Sequence, residues 1–203
     1  MITLLESSIN NISPSAIKAI QSKYPTAVVR VEIENVYYKG DMNDACFWAI
    51  IDVLDWKTRD STVILAPAIK ALSQFSQNDI QVFHDILNEK LYALDGRLYA
   101  EQLGSNRYTT DSNNPFSVDS FLYARCCVVA NGKGFYQKVL ENPVKMPKEY
   151  TFESLLYLPR KAWQLKTGHD NYAYFPEIWS ETFSNPNGWE GITPMKDRIL
   201  SLL

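Results

Sequence analysis

Arg125 is the side chain here with the most chemistry to offer. It stands inside the run Phe121-Leu122-Tyr123-Ala124-Arg125-Cys126-Cys127-Val128, where a guanidinium is partly buried and needs a partner. Asp119, Asp111 or a carboxylate from another helix can supply one, which gives a structural ion pair. Left without one, the same group anchors an anion in an aromatic pocket. An enzyme would use it together with Asp119 or a tyrosine. The other reactive groups are few: His84 and His169, and the thiols of Cys46, Cys126 and Cys127. Nucleophilic thiol chemistry needs a histidine beside a reactive cysteine. Cys46 precedes Phe47-Trp48 on an amphipathic helix, and Cys126-Cys127 lie in the most apolar helix, so inert buried thiols are expected.

Metal and phosphate patterns are missing from the sequence. There is no C-x-x-C, no H-E-x-x-H and no acidic calcium loop, so no metal or cofactor is expected. Asn131-Gly132-Lys133-Gly134 resembles a phosphate loop but lacks the outer glycine and the Lys-Ser/Thr pair. It falls between two helical patterns, and a helical corner with Gly132 as the cap suits it better.

The elements that must position these groups are mostly helical. Ser13-Pro14 opens a short helix that ends near Tyr24. Val29, Val31 and Ile33 then alternate with charged residues, the pattern of a half-buried strand, which Val36-Tyr37-Tyr38 extends or pairs with. Phe47, Ile50, Ile51 and Leu54 fall at helical spacing behind Asn43 or Asp44 as a cap. Val63 to Leu72 is a further helix, which Pro67 should kink or restart. Ser76 to Asp79 reads as a capping-box start. The stripe Ile80, Phe83, Leu87, Leu91, Leu94 and Leu98 carries that helix as far as Leu103. Ser117 caps Val118 to Ala130, apolar almost all round and therefore central. Gly134 to Glu141 and Phe152 to Lys166 are helical, the second broken at Pro159 and stopped at Gly168. Asn171 to Pro194 holds three prolines, two glycines and six aromatic residues, an ordered wrap over the core. Thr193-Pro194 opens a terminal helix.

Composition sets the outer limits. The 203 residues are 46% hydrophobic and 21% charged, with 20 Lys+Arg against 23 Asp+Glu. Such a chain sustains its own core. A net charge of −3 argues against a dedicated nucleic-acid binder; the densest basic spot, Arg160-Lys161 with Lys166, is a solvated helix face. No apolar run reaches the roughly eighteen residues of a membrane span. Met1 to Asn11 lacks the basic start of a secretory signal. Three cysteines, two of them adjacent, do not form a disulfide framework, and a cytoplasmic location is expected.

The run Phe116 to Arg125, the Asn131-Gly132-Lys133-Gly134-Phe135-Tyr136 corner and Glu141-Asn142-Pro143, preceded by the Phe47-Trp48 helix, resemble an uncharacterised bacterial family, domain of unknown function 4240. Its pattern is a Phe-Trp helix, a Leu-rich helix capped by Ser or Thr, and an Asp-x-Phe-x-Tyr/Phe-x-Arg helix ending in Gly and an aromatic. Asp119, Phe121, Tyr123, Arg125, Gly132 and Phe135 occupy those places, and Thr167-Gly168 fits the closing Thr-Gly. The resemblance spans about 43–168. Cys126-Cys127 depart from it, since bulky apolar or aromatic residues are usual there. It implies a mainly helical domain and assigns no activity.

The expected fold is mainly α: one compact domain of seven or eight helices with a short N-terminal helix–strand element. Residues 1–42 form an extension on the core, 43–170 the family-like domain, and 171–203 a wrap and terminal helix in the same globule. Three functions stay open. First is a non-catalytic module that binds or regulates one protein partner and shows an exposed aromatic–acidic patch. Second is a binder of a small anion anchored by Arg125. Third is an enzyme. The residues any such site would draw on are Arg125, Asp119, Tyr123, Trp48 and Lys133. Trp179 and Trp189 either clamp the wrap down or stand exposed for a partner.

Overall fold

The computed structural model describes residues 18–19, 22–24, 41–110 and 116–190. The expected strand at 29–38, the start of the first helix at Ser13, the terminal helix from Thr193, and Asp111 lie outside these residues. Lys18, Ala19, Ser22 and Lys23 are helical. Met1–Val36 and Tyr37–Leu203 separate into two units, and the helical domain belongs to the second.

Among the described residues of that domain there are seven α-helices and no strand: α1 (Asp44–Ile51), α2 (Ser61–Ser73), α3 (Gln77–Ala93), α4 (Arg97–Ala100), α5 (Val118–Ala130), α6 (Lys133–Glu141) and α7 (Leu158–Thr167). Short polar side chains start most of the longer ones. Asn43 Oδ1 accepts from the amides of Ala45 and Cys46, Asp60 from Thr62, and Ser117 from Ser120. Ser76 and Asp79 form a full capping box on α3. Asp79 also accepts the amide of Met42, so the same carboxylate ties the chain before α1 to the start of α3. Ser76→Ala is expected to cost about 1 kcal/mol, a fall of roughly 2–4 °C in a thermal melt.

α5 is the central element. Nine of its thirteen residues are buried, and it touches α3, α6 and the 3-10 turn Glu153–Tyr157. α7 lies mainly on α2 and also on α3. The core between them joins Phe47 to Phe83 (4.8 Å) and Trp48 to Tyr136 (5.3 Å). Two glycines shape the corners with left-handed backbone. Gly132 (φ 86°) turns α5 into α6, and Gly168 (φ 74°) closes α7.

Three expectations about helix ends change. Pro67 does not restart a helix: α2 runs from Ser61 through Ser73 as one element, at the cost of a single missing N–H. The expected break at Pro159 falls just before it, because the 3-10 turn ends at Tyr157 and Pro159 lies in the first turn of α7, where no amide is required. α3 does not reach Leu103. It stops at Ala93, and Leu98, counted in the apolar stripe, is 66% exposed. The stop is made by Asp95-Gly96. Asp95 is fully buried, and burying its carboxylate among distant donors takes precedence over another helical turn.

Among the described residues, 171–190 form an irregular strap with one 3-10 turn at Pro186–Trp189 that packs against α4. The strap is fixed at two levels, and these two levels define the candidate site.

Candidate functional site

The deeper level is built on charge. Arg125 and Asp95 both have 0% exposed side chains, with Nη1 to Oδ1 at 3.9 Å. Arg125 Nη1 donates to the Leu91 carbonyl (2.9 Å) and Nη2 to Thr182 Oγ1 (3.1 Å), and that hydroxyl donates onward to the Val118 carbonyl (2.8 Å). The guanidinium lies over the Phe121 ring at 4.7 Å. Nε has no hydrogen-bond partner. Burial lowers the Arg125 pKa and the Asp95 charge works against that. Asp95 accepts three further donors, all from the strap: Phe183 N (3.2 Å) and Trp189 Nε1 (2.9 Å) on Oδ1, and Asn185 N (3.0 Å) on Oδ2. Phe183 holds a left-handed backbone (φ 74°), which disfavours any side chain carrying a Cβ. Its amide bond to Asp95 and its ring, 4.4 Å from Trp189, keep it there.

The geometry is that of a structural ion pair, with Asp95 as the counter-ion. Asp119 is exposed in the first turn of α5. Six residues separate it from Arg125, which places it on another face of the helix. An anion reaching the molecule from solvent finds the Arg125 guanidinium neither accessible nor without a counter-charge.

The remaining expected site residues fall into two other places. Lys133 Nζ meets Asp44 Oδ2 at 3.0 Å, Lys90 Nζ meets Asp44 Oδ1 at 2.6 Å, and Lys90 also lies 6.0 Å over the Trp48 ring. The Lys90 hydrogen bond holds the Asp44 carboxyl below its usual range. Trp48 itself is core, wedged between Phe47 and Tyr136. Tyr123 is half-buried on α5. Desolvation and then the Glu153 carboxylate raise its pKa, and Glu153 also accepts from Tyr157 (2.7 Å). The five residues therefore lie in three groups and do not converge. The buried thiols offer no nucleophile: desolvation pushes Cys126 up to about 12 and raises Cys127. Among the described residues no three His, Cys, Asp or Glu side chains are grouped to hold a metal, and no helix is long and apolar enough to cross a membrane.

The shallower level of the strap is a row of aromatic hydrogen bonds. Tyr172 OH and His84 Nδ1 are 3.1 Å apart, and Tyr174 OH donates to Asp85 Oδ2 at 2.6 Å. Trp163 of α7 lies 5.4 Å from Tyr172. Burial drives His84 down to about 4, against the opposing pull of Asp85, so its ring is neutral at pH 7 and can accept the Tyr172 proton. The folded chain then resists a proton that the unfolded chain takes up at about 6.5. Stability is expected to fall as the pH drops from 6.5 towards 4, by roughly 2–3 kcal/mol in all. Urea unfolding of the wild type and of His84→Gln across that range checks this. The variant keeps an acceptor without a titrating ring, and its curve should stay flatter.

Between the two levels the strap leaves the surface. Phe175 is 76% exposed, Ile178 37% and Trp179 62%, with Glu177 and Glu181 exposed beside them. Asn88 of α3 lies under a shallow groove lined by Phe175, Ile178, Trp179 and Glu181. Trp189, ten residues on, is 3% exposed and packed against Phe121, Phe183 and Tyr108. One of the two late tryptophans clamps the strap and the other faces solvent. Composition alone could not separate them, because their difference comes from Asp95. The functional reading missed Asp95, Tyr172, Tyr174 and the Phe175–Ile178 pair. Asp95 had one legible signal, a carboxylate interrupting an apolar stripe.

Residues 42–164 match the family described as protein of unknown function (DUF4240), nearly the span of the expected resemblance, and the strap lies beyond it. Neither a curated protein nor a solved structure matches the chain. With the Phe47-Trp48 helix, the central α5 and the Gly132 corner inside a match that takes in more than half of its residues, the chain belongs to the DUF4240 family.

Proposed function

We propose that the chain is a non-catalytic interaction module that binds or regulates one protein partner through Phe175–Glu181. The carrying observation is the exposure of three large apolar side chains within five residues, flanked by two carboxylates. Contiguous apolar surface with a polar rim is a common mark of a protein contact. The segment is tied down before it by Tyr172 and Tyr174 and after it by Thr182, Phe183 and Asn185. A partner therefore meets side chains on a backbone already ordered, which lowers the entropic cost of binding. Tryptophan is a frequent centre of interface energy. All three cysteines are free thiols, which suits the cytoplasm as the proposed setting. The sealed Arg125–Asp95 pair speaks against the anion-binding reading.

A photocrosslinking amino acid at position 179, introduced in the native cell, tests this. One discrete protein adduct is expected, lost when Phe175→Ser and Ile178→Ser are added. The same label at exposed Leu165 on α7 should give no such adduct. Identical adducts from both positions, or none from 179, would remove the reading.

A further inference from the structure

The groove beside Trp179 has a chemical bias that narrows what fits it. Its walls are aromatic, from Phe175 and Trp179, and aliphatic, from Ile178. Its charge comes from Glu181, and among the described residues no Lys, Arg or His lines it. Glu181 forms no ion pair among the described residues. It influences Arg125 electrostatically, but that guanidinium has no accessible surface, so an incoming group would find only the carboxylate. Asn88 supplies the floor. One N–H of its Nδ2 goes to the His84 carbonyl at 2.9 Å, and its Oδ1 can accept. Glu181 and Asn88 thus both bring acceptor oxygens to a groove that the exposed Trp179 also lines.

A planar donor-only cation complements such a surface. Arginine has five N–H donors and no acceptor. Its guanidinium stacks on an indole face and pairs with a carboxylate at the same time. Lysine meets the charge requirement but not the planar one. We infer that the groove lined by Asn88, Phe175, Ile178, Trp179 and Glu181 receives an arginine side chain of the partner protein, its guanidinium against Trp179 and Glu181. The inference rests on the interaction reading and specifies its recognition chemistry. Apolar neighbours of that arginine would cover Phe175 and Ile178.

The test uses the full chain labelled with 15N and titrated with Nα-acetyl-arginine N-methylamide. The citrulline analogue, equal in shape and uncharged, and the lysine analogue serve as controls. The Trp179 indole resonance should move saturably with the arginine probe, less with lysine and least with citrulline. The Trp189 indole, bonded to Asp95, should stay in place and report an intact fold. Glu181→Gln should weaken arginine binding by about three- to five-fold, and Trp179→Ala should abolish the shifts of Phe175 and Ile178. An unmoved Trp179 signal, equal binding of arginine and citrulline, or no effect of Glu181→Gln would overturn the inference. If the probe fails while the position-179 adduct persists, the arginine inference falls and the interaction reading stands. If the adduct fails too, both fall.

Discussion

Asp95→Ala is expected to destabilise the protein by about 3–5 kcal/mol, the cost of removing one partner from a buried charge pair. The carboxylate is the meeting point of one guanidinium and three N–H donors. Without it, Arg125 keeps its charge in an interior that supplies only the Leu91 carbonyl and the Thr182 hydroxyl. The amides of Phe183 and Asn185 and the Trp189 indole are left unpaired at the same time. Arg125→Met should be much milder, about 1–2 kcal/mol. It takes out the charge that needs compensation, and Asp95 retains its three hydrogen bonds. Urea unfolding of both variants should give that order. If Arg125→Met proved the more damaging, Arg125 rather than Asp95 would be the centre of the network.

Gly188→Ala should cost about 3 kcal/mol or more, and it should do so by lifting the strap. A Cβ at 188 would lie 2.1 Å from the Asp95 carbonyl oxygen and 2.9 Å from the Gly96 Cα. A Cβ on Gly96 would in turn meet the Gly188 carbonyl oxygen at 3.0 Å. These are backbone atoms of two segments crossing directly, so no side chain can rotate away. Overpacking a filled interior usually costs about 1–3 kcal/mol, and a rigid obstacle puts this site at the upper end. Trp189 should become solvent-exposed, with a red-shifted emission, and a protease should cut within 171–190. The helical circular dichroism should persist while both occur. Gly134→Ala is the matched control. Nothing lies within 4 Å of its Cβ, it sits within α6, and alanine there is expected to stabilise by about 0.5–1 kcal/mol. A fluorescence change in that variant instead would mean that the readout does not report the strap.

What could be read from the sequence was local. Ser76 and Asp79 lie three residues apart, as do Ser117 and the Ser120 amide, and their helix starts follow from that spacing. Gly132 and Gly168 mark their corners because only a residue without a Cβ enters the left-handed region freely. The central place of α5 follows from apolar residues around its whole circumference. The features that escaped depend on partners far along the chain. The end of α3 is decided by Asp95, whose donors are 88 to 94 residues away. Nothing beside His84 in the sequence shows that it is covered, because the tyrosine that covers it comes 88 positions later. Arg125 was singled out by its apolar surroundings alone. Its exposed neighbour Asp119 looked like a counter-ion only because sequence distance was the one distance available.

The matched region ends at residue 164, while Thr182, Phe183, Asn185 and Trp189 complete the interior around Asp95 and Arg125. Synthesis runs at about 5–20 residues per second, so the ribosome spends one to several seconds between those two points. Were α3 and α5 already packed during that interval, Asp95 would lack three of its donors. A nascent chain in that state has a reason not to commit its core: closing it would bury a carboxylate short of three donors. Thr182, Phe183, Asn185 and Trp189 are thus the last of these partners to be made, and the native surroundings of the charge pair are complete only once they are.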